Sequence, residues 1–129
     1  MFTSEAVTRG LRVRVESQYC PERSSPCQQQ WFFLYTVTLT NDGPETVQLL
    51  TRHWVITDAN GAVDEVRGEG VVGKQPVLRP GESFEYTSGS SLSTSFGVMQ
   101  GTYQMITQSG ECFDATIAPF TLSEPYTVH

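Results

Sequence analysis

Apolar and polar residues alternate along much of the chain, with the two-residue period of a strand that is buried on one face. Residues 11–19 show this alternation, and residues 31–40 are rich in the aromatic and β-branched side chains that favour strands. Between Leu49 and Trp54 the apolar parity changes, which predicts a β-bulge near Leu50. Because no segment shows a sustained helical period, the pattern predicts strands along the whole chain.

Turn-forming residues separate these segments. Asn60 and Gly61 tolerate the positive φ of a tight hairpin turn, and residues 80–81, Pro-Gly, predict a second turn. Residues 62–67 are predicted as a strand, and residues 68–75 as an irregular, glycine-rich connection. Further strands are expected over residues 84–89, 101–107 and 113–122. The last of these changes its apolar parity across Pro119, so we expect it to be bent and to lie at a sheet edge.

The number of strands predicts the architecture. About seven short strands indicate a single all-β domain spanning residues 1–129, with a β-sandwich of the immunoglobulin or fibronectin type III kind. A closed barrel is the alternative. The residues expected to be mostly buried are Phe33, Tyr35, Val37, Leu39, Trp54, Ile56, Tyr86 and Tyr103.

Composition and charge restrict the classes of function. No apolar run is long enough to cross a bilayer, and the first residues do not resemble a signal sequence, so we expect a cytoplasmic protein without membrane insertion. The net charge is −6 and Lys74 is the only lysine, which argues against a nucleic-acid surface. Three cysteines, Cys20, Cys27 and Cys112, lack close spacing, and this favours reduced thiols over a Cys20–Cys27 disulfide.

Residues 68–73 match the pattern GxGxxG, and Lys74 extends the match toward a phosphate-binding loop. Gln75 stands where such a loop has Ser or Thr, and Pro76 disfavours the helix that would receive the phosphate. A dinucleotide-binding fold is therefore rejected. Two interpretations remain: the backbone N–H groups form a small anion-binding nest, or the glycines only permit an unusual connection. The three glycines are Gly68, Gly70 and Gly73.

Residues that would support catalysis or metal binding are few. His53 is the only histidine apart from His129, and no nucleophile motif accompanies it, so a hydrolytic triad is a weak interpretation. Two sets of possible metal ligands lack recognisable spacing, and the metal question stays open, with no cofactor predicted. The hard-cation set is Asp58, Asp64, Glu65 and Glu69, and the soft-ligand set is Cys20, Cys27 and His53.

Four long segments closely resemble the ApaG family. They are FLYTVTLTN (33–41), VQLLTRHWVITDANG (47–61), EVRGEGVVGKQPVLRPGESFEYTSG (65–89) and GVMQGTYQM (97–105), and the resemblance continues to the FTL at 120–122 and to the terminal histidine. It implies a fibronectin type III-like sandwich. It also implies an association with cobalt resistance and magnesium efflux in bacteria, and similar domains in larger eukaryotic proteins look like protein-interaction modules. The resemblance implies no catalytic activity.

We therefore expect a non-enzymatic binding domain with an indirect role in divalent-cation homeostasis. The predicted binding surface is the loop 68–75 together with Arg52 and Trp54. A protein partner would use Trp54 and either Val71 or Val72 as apolar anchors, with Arg52 at the rim. A small anion, such as pyrophosphate or a nucleotide phosphate, would instead use Lys74 and the N–H groups of the glycine loop. A nucleotide hydrolase is the enzymatic alternative, and a divalent cation is a further possible ligand.

Overall fold

The structure is a computed structural model that describes residues 1–125. Nine strands account for most of this range, and two single-turn 3₁₀ helices, Pro21–Arg23 and Pro26–Gln28, interrupt the longest connection. The strands are β1 (Phe2–Thr8), β2 (Leu11–Tyr19), β3 (Trp31–Asn41), β4 (Val47–Asp58), β5 (Val63–Glu69), β6 (Val77–Leu78), β7 (Ser83–Leu92), β8 (Phe96–Thr107) and β9 (Cys112–Ser123). The sequence did not predict β1 or β6. His129 lies outside the described residues.

The strands form two antiparallel sheets that pack face to face. One sheet has the order β1-β2-β3-β7 and the other the order β5-β4-β8-β9, with β6 paired to the start of β4. The predicted all-β sandwich is thus confirmed. No helix of the described residues is long and apolar enough to cross a membrane.

The core contains the inward-facing apolar residues of both sheets. Of the eight side chains expected to be buried, seven are buried, and Leu11, Val13 and Val15 of β2 join them. Ile56 is the exception: it is only partly buried and packs against the edge of the core. Its place near the end of β4, beside the exposed strand β5, explains the difference.

Both predicted irregularities of the strands are confirmed. The pairing of β4 with β8 shifts between Leu49 and Thr51, so Leu50 is the extra residue of a β-bulge. The last strand, β9, lies at a sheet edge and shifts register against β8 between Met99 and Gly101. The irregular connection, in contrast, is shorter than predicted, because Gly68 still belongs to β5.

The two lateral sides of the sandwich differ. On one side, β1 lies against β9, and the two sheets are joined by hydrogen bonds: Ser4 Oγ donates to the carbonyl of Ala118, and Ser17 Oγ donates to that of Thr121. The other side is bordered by the edge strands β5 and β7, and an open cavity lies between them. We call this second side the open side.

Candidate functional site

The bulge at Leu50 decides which way Arg52 points. Successive side chains of a strand alternate between the two faces of the sheet. The extra residue of a bulge therefore reverses which face each later side chain lies on. Arg52 is the register partner of Tyr103, which is fully buried between the sheets. Arg52 therefore leaves β4 on the inner face of the sandwich, whereas His53 lies on the outer face.

The guanidinium of Arg52 is held at the sheet edge by β5 and the residues that follow it. Its Nη1 donates hydrogen bonds to the carbonyls of Glu69, at 3.0 Å, and Gly70, at 2.8 Å. Gly68 is the register partner of Arg52 on β5, and a Cβ at Gly68 would lie 2.8 Å from the guanidinium carbon. The first glycine of the GxGxxG pattern thus leaves room for the guanidinium in this position, and a side chain there would displace it.

A pocket of about 310 Å³ opens beside this guanidinium, on the open side. Its walls come from β3, β4, β7 and the loop after β5. The buried ring of Trp54 contributes to the lining, and the polar groups around it belong to Tyr35, Arg52, Glu69, Tyr86 and Ser88. The sequence analysis missed Tyr35, Tyr86 and Ser88 as site residues. The alternation of apolar and polar residues predicted that the two tyrosines are buried. No feature of the neighbouring sequence predicted that their side chains come together at one pocket.

The phenols at this pocket are hydrogen-bond donors over the physiological pH range. Burial raises the pKa of Tyr35 and Tyr86 above the ordinary value, and it also raises the pKa of Tyr103, which lies behind them. Arg52 opposes this increase because its positive charge favours the ionised phenol. The hydroxyls of Tyr86 and Tyr103 are hydrogen-bonded to each other across the two sheets.

These raised pKa values predict a loss of stability in alkali. Tyr86 and Tyr103 hold their protons more tightly in the folded state, whereas unfolded tyrosine ionises from about pH 10. The stabilisation that these two protonated tyrosines contribute is therefore complete below about pH 10. Above that pH the unfolded tyrosines lose their protons first, so the free energy of unfolding should fall. Urea denaturation at a series of pH values measures this. The Tyr86→Phe/Tyr103→Phe variant should show a weaker dependence, and an equal dependence in both proteins would contradict the assignment.

The loop after β5 ends in a tight turn with Val72 at its tip. Val71 and Lys74 exchange backbone hydrogen bonds of 2.8 and 2.9 Å, and the two residues between them have positive φ values: 45° for Val72 and 78° for Gly73. This is the pattern of a type I′ turn, which Asn-Gly normally occupies. Val71 is buried in the core, whereas the side chain of Val72 is 55% exposed.

The turn already uses several of the N–H groups that the proposed anion nest would offer. The N–H of Gly70 donates to the carbonyl of Leu50, and those of Val71 and Lys74 donate to each other's carbonyls. These three amides are therefore already used within the backbone. Lys74 is exposed on the turn, and it is not among the residues that line the pocket.

Trp54 was predicted both as a buried residue and as an apolar anchor for a partner, and its burial agrees with the first role and not with the second. Its side chain is 3% exposed and packs edge-on against Tyr35, Tyr103 and Phe120, with ring centroids 5.3, 6.2 and 5.9 Å away. A residue with this burial contributes to stability and supports the pocket from below. It does not form a contact surface.

The remaining candidate residues are dispersed. His53 lies on the outer face of its sheet, where Nε2 is 2.8 Å from Glu65 Oε1, in a shallow groove that also holds Arg67 and Asp114. Among residues 1–125 no three His, Cys, Asp or Glu side chains converge as metal ligands, so neither predicted set is brought together. The three cysteines are free thiols, of which Cys20 is buried.

Comparison with known proteins places the chain in a family. Residues 21–107 match the family model described as the ApaG domain, which is more than half of the chain. The chain belongs to the ApaG domain family. Protein ApaG of Rhodopseudomonas palustris (strain TIE-1) is 61% identical to it, and that of Afipia carboxidovorans is 59% identical. Each match spans 120 residues, which are 93% of this chain and 92% of the ApaG relative.

A solved structure also shares the fold. The crystal structure of the putative ApaA protein from Bordetella pertussis is similar, with a TM-score of 0.88 and 52% identity. The match covers 91% of this chain and 95% of that one. The two proteins therefore share their fold over nearly the whole of both chains.

Proposed function

We propose that this ApaG domain is a non-enzymatic, cytoplasmic binding module that recognises a segment of a partner protein on its open side. The observation that carries the proposal is the conformation of Val72. A β-branched residue in the left-handed region is a clear outlier, because its Cβ crowds the following carbonyl. Such strain is found mainly where function maintains it.

The position of Val72 supports a role in contact. Its side chain is 55% exposed at the rim of the Arg52 pocket, where it contributes little to the core. Asparagine or glycine would relax the turn, so stability does not account for valine there. An exposed apolar side chain beside a pocket is the arrangement by which an interface anchors a partner.

Two features support binding over catalysis. The tyrosines of the pocket have raised pKa values, so they donate hydrogen bonds and do not take up protons near neutral pH. His53, which a hydrolase would use as its base, points to the opposite face of β4 and does not line the pocket. The pocket thus has the chemistry of a recognition site.

The first test replaces Val72 with asparagine. Because asparagine tolerates positive φ, we expect Val72→Asn to raise the free energy of unfolding by about 1 kcal/mol. We also expect it to lose the partner proteins that the immobilised wild type retains from a bacterial cytosol. Denaturation in urea measures the first effect, and quantitative mass spectrometry of the retained proteins measures the second.

The matched control is Val7→Asn on β1. Val7 is 58% exposed on the edge strand β1, so the same change of an exposed valine is made on the side of the sandwich opposite the open side. The control should retain what the wild type retains. If Val72→Asn were more stable and still retained the same proteins as the wild type, the open side would not be the binding surface.

The association with cobalt and magnesium enters the proposal only in an indirect form. In this proposal the chain acts on cation homeostasis through the partner that binds its open side. Calorimetric titration with magnesium and cobalt tests this. Tight binding of either ion to the isolated chain would favour a direct role and would contradict the indirect one.

A further inference from the structure

Over the described residues 1–125, no ion pair neutralises the charge of Arg52. Three exposed arginines, Arg9, Arg12 and Arg14, lie within 3.3 Å of a carboxylate oxygen. Arg52 is less exposed than these, yet over residues 1–125 no carboxylate oxygen lies within 4.0 Å of its guanidinium. A partly buried, uncompensated cation is costly unless another group completes its environment.

The hydrogen-bond donors around the pocket are suited to an anion that would pair with Arg52. Only Nη1 of Arg52 is engaged in hydrogen bonds to the described residues, which leaves the N–H groups of Nε and Nη2 for a ligand. Tyr35, Tyr86 and Ser88, which carry hydroxyl groups, line the same pocket, and the Tyr86 hydroxyl is also hydrogen-bonded to Tyr103. A planar guanidinium beside neutral hydroxyl donors is suited to a carboxylate, which accepts several hydrogen bonds at once.

The surrounding charges favour a ligand with a single negative charge. Arg52 is the only basic residue among those that line the pocket, and Glu69 lies at its rim. The chain also carries a net charge of −6. The single positive charge of Arg52 balances the one negative charge of a carboxylate. It does not balance the several negative charges of a polyphosphate, which the net negative charge of the chain would also repel.

We propose that the pocket of Arg52, Tyr35, Tyr86 and Ser88 binds the side-chain carboxylate of an Asp or Glu in the partner segment that contacts Val72. The inference rests on the proposed function and names the chemistry of the partner. Val72 supplies the apolar contact at the rim, and Arg52 supplies the charge below it. The partner segment therefore combines an apolar residue with a neighbouring acidic one.

The experiment is an NMR titration of the ¹⁵N-labelled chain. The probes are the blocked peptide acetyl-Leu-Glu-Leu-amide, its glutamine counterpart, and inorganic pyrophosphate. We expect the glutamate peptide to shift the Nε–H signal of Arg52 and the amides of Gly70 and Gly73. We expect the glutamine peptide and pyrophosphate to bind about tenfold more weakly or not at all.

Two variants test the charges. Arg52→Gln should lose the glutamate peptide, and Glu69→Gln, which keeps the backbone carbonyl that Arg52 contacts, should bind it more tightly. Glu69→Gln is also the safeguard against misfolding, because a gain of affinity cannot come from a damaged turn. Equal shifts with the glutamate and glutamine peptides would overturn the inference. Tighter binding of pyrophosphate, lost in Arg52→Gln, would also overturn it and would make the pocket a small-anion site.

The two proposals fail in different ways. If retention of partner proteins depends on Val72 but the glutamate peptide does not bind at Arg52, the carboxylate inference is wrong and the binding module stands. If the peptide binds at Arg52 but retention does not depend on Val72, the docking of a partner segment is wrong, and with it the assignment of the carboxylate to that partner.

Discussion

Replacing Trp54 with alanine is expected to lower the free energy of unfolding by about 3–5 kcal/mol, as large-to-small changes in a core do. The indole is 3% exposed and packs against Tyr35, Tyr103 and Phe120, so its removal leaves a cavity between the sheets. Guanidinium denaturation followed by circular dichroism measures the effect without depending on the indole signal.

Val66→Ala is the matched control. Val66 is the register partner of Trp54 on the edge strand β5 and is 41% exposed, so we expect its loss to change stability by no more than about 0.5 kcal/mol. A cost below about 1 kcal/mol for Trp54→Ala would show that the indole is not a core residue. If Trp54→Ala is destabilised as expected, a loss of binding in this variant could come from partial unfolding. It would therefore not show that Trp54 contacts a partner.

Replacing Gly70 with alanine should destabilise the protein by about 3 kcal/mol, for two additive reasons. Gly70 has a φ of 64°, a conformation that costs a residue with a Cβ about 1 kcal/mol or more. That Cβ would also lie 2.3 Å from the carbonyl oxygen of Lys74, a backbone atom that cannot move without opening the turn. Such overpacking costs about 1–3 kcal/mol.

Gly73→Ala separates the two contributions. Gly73 has a similar φ, 78°, but nothing lies within 4 Å of the Cβ it would gain. We therefore expect Gly73→Ala to cost only the conformational part, about 1 kcal/mol. Urea denaturation of both variants gives the comparison. Equal costs would mean that the close approach of Gly70 to Lys74 does not constrain the loop.

The GxGxxG pattern in this chain is thus explained by packing. Gly68 leaves space for a guanidinium, Gly70 permits a close backbone contact, and Gly73 takes a positive φ in a turn. The pattern resembles a phosphate loop in the sequence, but Gln75 and Pro76 argue against one, and the structure places a short strand, not a helix, after Lys74. The roles of Gly68 and Gly70 could not be predicted, because folding brings Arg52 and Lys74 close to them, whereas Gly73 is explained by its positive φ alone.

The sequence by itself determined seven of the nine described strands, the bulge at Leu50, the edge position of β9 and most of the core. These follow from local rules, since alternation assigns each side chain to a face and a break in it marks an irregularity. It could not determine that β1 is a strand, because β1 lies at a sheet edge and its less exposed positions hold the small or polar residues Ser4, Ala6 and Thr8.

Only the tertiary structure decided the site. The sequence selected Arg52 and Val72, but it treated Trp54 as an anchor when it is the floor of the pocket. It did not find Tyr35, Tyr86 or Ser88, which come from strands far apart in the chain. The physical reason is that the pocket lies between two sheets whose pairing is set by the packing of the whole core. The open side of the sandwich depends on which edge strands lie opposite each other in the folded chain. No local pattern of residues predicts that arrangement.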